Sequence, residues 1–135
     1  MTTTKNNKAL NISLWVAQGL LALMFIMAGI TKATQPLEAL VESLPWVSST
    51  PLALVRFIGI SELLGGIGLL LPAILRYKPF LTTWAAIGIA TIMVFAAVFH
   101  GSKGEFAAIG ANAVIMAVAL FVAWGRSKKV PIQPK

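Results

Sequence analysis

The sequence predicts an all-α fold: a four-transmembrane-helix bundle with a short amphipathic helix in its first outer loop. Two observations carry this. Of 135 residues, 58% are hydrophobic and only 11% charged, against about a quarter charged in ordinary soluble domains. The apolar residues also gather into four runs, Ile12–Ala33, Leu52–Leu75, Phe80–Phe99 and Phe106–Trp124, each near the ~20 residues with which a helix spans a ~30 Å hydrocarbon core. These runs are apolar on nearly every face, whereas the strands of a lipid-facing barrel alternate polar and apolar positions over ~10 residues. With their connections they form a single membrane domain over residues 1–135.

Taken in order, the chain opens on a short polar tail, Thr2–Lys8, followed by the first run. Lys5 and Lys8 before an apolar segment also suit a secretory signal, but such a signal has an apolar core of only ~7–15 residues, so a retained helix is expected. The one substantial loop, Thr34–Pro51, holds Leu37, Leu40, Val41 and Leu44 at helical spacing with Glu38 and Glu42 on another face. This pattern predicts a helix lying on the outer surface, begun by Pro36 and stopped by Pro45, with Trp46 at headgroup level. A four-residue turn, Arg76–Pro79, separates the second and third runs, and the third ends at His100. Gly125–Lys135 is a basic tail with Pro131 and Pro134, expected only to set topology.

The formal charge of +7 does not indicate nucleic-acid binding, because the basic residues sit beside the spans. Lys5, Lys8, Arg76, Lys78, Arg126, Lys128, Lys129 and Lys135 fall on the side of the two termini. Lys32, Arg56 and Lys103 share the other side with Glu38, Glu42 and Glu105. The positive-inside rule then places both termini in the cytoplasm, in a multi-pass protein of the cell membrane. Trp15 and Trp124 lie where interfacial aromatics are expected. The chain has no cysteine, which excludes thiol chemistry of its own. One histidine and four glutamates give no metal-ligand cluster, so no metal is expected.

Polar groups within the spans carry the functional information, since each is costly in hydrocarbon unless paired or facing water. Glu62 lies six residues beyond Arg56, ~9 Å deeper along the helix axis. Asn112 lies at a similar depth in the fourth span, Lys32 and Arg56 near the outer ends of the first and second, and His100 and Lys103 at the end of the third. All belong to the outer half, so packed helices would gather them around one outward-opening polar pocket. Glu62 reads either as a structural ion pair with Lys32 or Arg56, or as a ligand-contacting or proton-handling carboxylate. His100 reads as a proton exchanger or as a helix-end group. Asn112, like Gln18 near the other side, reads most simply as an interhelical hydrogen-bond donor. Ser61, Gly65 and Gly68 belong to a small-residue stretch with small-xxx-small spacing, expected to serve helix packing.

Three segments resemble the DoxX-like family of small four-helix membrane proteins: Ala28-Gly-Ile-Thr-Lys32, Gly59-Ile-Ser-Glu-Leu-Leu-Gly-Gly-Ile-Gly68, and a third span ending at His100. The family includes the small membrane subunit of a thiosulfate:quinone oxidoreductase, other members assigned to membrane oxidoreductase complexes, and a distant animal branch that assists receptor assembly. The resemblance singles out Lys32, Glu62 and His100 and leaves the reaction, and whether the chain is an enzyme, open.

Two functions are therefore expected. The first is an accessory subunit of a membrane oxidoreductase system that binds a quinone or similar lipid without covalent attachment and works with a redox partner protein. A quinone ring needs an apolar slot and one or two polar groups, which Glu62, His100 and Lys32 among Phe and Met residues supply. The second is an assembly factor or structural partner without catalytic activity, whose small-residue helix face recognises other membrane proteins. Transport is less expected, since four spans form a narrow path unless the chain forms a homo-oligomer.

Overall fold

The computed structural model describes residues 5–135. Five α-helices follow in order: α1 Lys5–Thr34, α2 Leu37–Ser43, α3 Leu52–Leu75, α4 Phe80–Ser102 and α5 Phe106–Trp124. α1, α3, α4 and α5 are each long and apolar enough to cross a membrane, and they run up and down as one bundle. α1 packs along α3, α4 along α5, and α3 joins the two pairs, while α5 closes weakly back onto α1. Outward-facing side chains such as Leu20, Leu64, Phe95 and Val114 are large and apolar, as lipid requires. Leu21, Phe25, Leu69, Ile89, Met93 and Val122 form the central core. The end carrying residues 35–51 and 103–105 is called the loop side, and the opposite end the terminal side.

The closest approach is between α1 and α3. A Cβ added to Gly29 would lie 2.5 Å from Leu63 N and 2.6 Å from Gly59 O, and one added to Gly59 would lie 2.7 Å from Ala33 N. Only glycine at both positions lets these backbones touch. Gly66 meets Ile26 and the Ala22 carbonyl on the same face of α3. Gly65 and Gly68 face α4 instead, against Ile89 and Ala85, and Ser61 donates its hydroxyl to Phe57 O at 2.9 Å.

α2 begins directly after Pro36. Pro45–Ser49 then continues as a 3-10 turn, and Leu40, Val47 and Val55 form a small second core beneath it, with Leu44 and Trp46 against it. Trp46 is therefore half-buried in protein.

Two segments read as tails with no pattern that would fold alone are structured where they are described. The expected tail Thr2–Lys8 lies outside the described residues as far as residue 4, and from Lys5 it is already α1. After Trp124 the chain makes a π-helical turn, Gly125–Lys129, closed by Val130 N–H donating to Gly125 O at 2.7 Å. The segment beyond runs back to the α3–α4 turn, where Arg76 Nε–H donates to Gln133 O at 2.7 Å and Lys135 N–H to Arg76 O at 2.9 Å. The basic tail thus packs on the bundle, because its Arg126 finds side-chain acceptors on α1 and its last residues bond to Arg76.

The α1–α3 contact makes a test. Gly59→Val should lower unfolding stability in mixed micelles by at least about 1–3 kcal/mol, the usual cost of overpacking. Gly88→Ala, whose Cβ meets nothing within 4 Å, should leave it unchanged or slightly raised.

Candidate functional site

The backbone contact between α1 and α3 brings together two charges. Lys32, in the last turn of α1, donates its ammonium to Glu62 Oε1 at 2.7 Å. Both side chains are largely removed from solvent, Glu62 to 5% exposure, so this is a pair held where charge is poorly tolerated and each ion depends on the other. Arg56, one turn above Gly59 on α3, donates Nη1–H to the Lys32 carbonyl at 3.1 Å. It thereby fixes the end of α1 from behind and makes no ion pair with Glu62.

Glu62 and Lys32 line a cavity of about 480 Å³ between α3, α4 and the loop-side elements. Its walls are mainly apolar, with Phe57, Ile58, Met93, Phe95 and Phe99 among them, and its polar groups are Lys32, Thr50, Ser61, Glu62, His100 and Asn112. Four of the groups grouped by depth in the sequence, Lys32, Glu62, His100 and Asn112, thus share one cavity, while Arg56 and Lys103 do not line it. The cavity reaches the bundle's outer surface between α3 and α4, where Phe57 is 66% and Phe95 71% exposed. It differs from the expected polar, outward-opening pocket because the loop-side end is covered by Trp46 and the 3-10 turn.

That cover is fastened to α4. Trp46 meets the Phe99 ring edge-on at 5.7 Å, and Phe99 meets His100 likewise at 5.4 Å. Lys103 hydrogen-bonds Ser49 Oγ and places its ammonium 5.0 Å over the Phe99 ring. His100 is oriented by Glu105: Nδ1–H donates to Oε1 at 2.8 Å. This leaves Nε2 as an acceptor in the neutral ring and a donor in the charged one. Asn112 Nδ2 is buried without a hydrogen-bond partner, beside a cavity whose walls are mainly apolar. Such an orphaned donor costs free energy unless something accepts from it.

The DoxX-like family model matches residues 16–122, from within the first span to near the end of the fourth. The chain belongs to the DoxX-like family. No curated protein and no solved structure matches it. In this DoxX-like protein, Lys32, Glu62 and His100, the positions its motifs single out, all border the same cavity.

Several members of the site were not singled out from sequence. Glu105 was counted only as an outer-side charge, although its place five residues after His100, across a helix break, could have paired them. Trp46 and Thr50 enter through the fold of the loop, which periodicity does not specify. Ser61 was assigned to packing by its spacing to Gly65, yet it lines the cavity.

The Lys32–Glu62 pair predicts non-additive energetics. Lys32→Met or Glu62→Gln alone should each destabilise the bundle, by up to about 3–5 kcal/mol where an uncompensated buried charge remains. The double variant Lys32→Met/Glu62→Gln should lose less than Lys32→Met alone. A double-mutant cycle from unfolding in micelles measures this coupling.

Proposed function

We propose that the loop-side cavity holds a quinone or an amphipathic lipid of similar shape, and that this DoxX-like protein is an accessory subunit of a membrane oxidoreductase system. On this reading both termini face the cytoplasm, because the basic residues concentrate at that end. The observation that carries it is the orphaned Asn112 amide in an apolar, aromatic-lined cavity that also contains Glu62 and His100. A flat ring with carbonyl groups fits a slot walled by Phe57, Phe95 and Phe99, and its carbonyl oxygen supplies the acceptor Asn112 lacks.

A bound quinone takes up two electrons and two protons to become the quinol. Asn112 binds one carbonyl through Nδ2–H. His100, oriented by Glu105 with Nε2 unbonded, holds or releases a proton at the loop-side end of the cavity. Glu62 holds Lys32 in place, and the ammonium offers positive charge where negative charge would develop on a quinone oxygen. With no cysteine and one histidine, the chain lacks its own ligands for an iron–sulfur cluster or a bis-histidine haem. The electrons are therefore assigned to a separate redox partner protein.

Protein purified in mild detergent should carry near-stoichiometric quinone or lipid, identified by mass spectrometry of the extract. Asn112→Leu should reduce that content about tenfold, the equivalent of one lost hydrogen bond in a dry site, at unchanged thermal stability. Equal content in wild type and Asn112→Leu, or no specific molecule in either, overturns the reading.

A further inference from the structure

Every glutamate of this protein lies toward the loop side, Glu38 and Glu42 in α2, Glu62 in α3 and Glu105 before α5, and there is no aspartate. Yet a guanidinium is buried at the other end. Arg126, 4% exposed, donates Nε–H to Gln18 Oε1 at 2.6 Å. Its Nη1 donates to Asn11 Oδ1 at 2.7 Å and to Val130 O at 2.9 Å. Gln18, fully buried, is fixed in turn by Nε2–H donating to Leu69 O at 2.7 Å. The Trp15 ring lies 5.1 Å from the guanidinium carbon. All these partners are neutral, and Nη2 is buried with no partner at all. A buried cation so arranged has its geometry fixed and its charge unmatched, which is strongly disfavoured unless an anion joins it.

The surroundings indicate which anion. Arg126 lines a second cavity, of about 500 Å³, together with Ser127, Ile132 and, from the first turns of α4, Phe80, Thr83 and Trp84. The amino-terminal turn of α4 adds its positive dipole end to the guanidinium, and two of the wall residues carry hydroxyls. The rest of the wall is aromatic and aliphatic. Tyr77, Trp84 and Trp124, all strongly exposed, mark this level as the headgroup region. Lys78, Lys128 and Lys129 lie exposed on the same side. A cationic end joined to apolar walls at headgroup depth matches a phosphate with an acyl chain attached. We infer that this cavity binds the phosphate of an anionic phospholipid, with Arg126 as its counter-ion.

The test is native mass spectrometry of the full chain, titrated separately with phosphatidylglycerol, phosphatidylcholine and inorganic phosphate. Wild type should bind one phosphatidylglycerol at least tenfold more tightly than phosphatidylcholine, and Arg126→Gln should abolish that preference. Because Arg126→Gln also breaks the Gln18 and Asn11 contacts and can disturb folding, Thr83→Trp provides a second variant. It fills the cavity without touching the guanidinium's partners and should lower phosphatidylglycerol binding about tenfold at normal helix content. Competition by inorganic phosphate supports the phosphate site and assigns it to the free anion. Equal binding of the two lipids, or wild-type phosphatidylglycerol binding in folded Thr83→Trp, overturns the inference.

Discussion

A lysine and a glutamate thirty residues apart can pair within a bilayer only if their helices come close enough for two short reaches to meet. Here Gly29 and Gly59 leave no Cβ of their own between the backbones at the α1–α3 crossing, and Lys32 and Glu62 close the gap one turn away. The contact and the charge pair support each other: dispersion between bare backbones holds the helices, and the pair penalises any slippage that would leave an ion alone in hydrocarbon. The cavity follows from the same constraint. Since α3 leans on α1 through small residues, its opposite face parts from α4 near the loop side, where Phe57, Met93 and Phe99 surround the space without filling it.

The bundle was legible because lipid imposes a simple rule on sequence: a segment must be apolar for about twenty residues or it cannot remain in the core. The four spans and α2 obey that rule or the period of an amphipathic helix, and the structure departs from the expected limits chiefly at the two ends. The site was partly legible. Depth along a helix placed Lys32, Glu62, His100 and Asn112 in one layer, but depth says nothing about rotation. The face that touches α1 is set by Gly59 and Gly66, two turns apart, whereas the more conspicuous Ser61 and Gly65 point toward α4 and the cavity. Arg126 was illegible for a different reason. A basic residue just past a span ordinarily sits in water, and only packing that joins Asn11, Gln18 and Val130 across the whole chain sets this one apart.

The two ends of the bundle thus handle charge in opposite ways. On the loop side Lys32 pairs with the Glu62 carboxylate, and the Glu105 carboxylate accepts from His100. On the terminal side the described side chains offer cations and neutral acceptors only. Between them lies a layer of Leu21, Phe25, Leu69, Ile89 and Val122 that keeps the two polar regions apart.

The sideways mouth between Phe57 and Phe95 sets the terms on which any occupant arrives. A molecule reaching it has already dissolved in the membrane, so its local concentration is fixed by its partition out of water, not by its level in solution. Modest intrinsic affinity then suffices for a strongly lipophilic guest. A polar competitor of similar shape is held back before it meets a single residue of the protein.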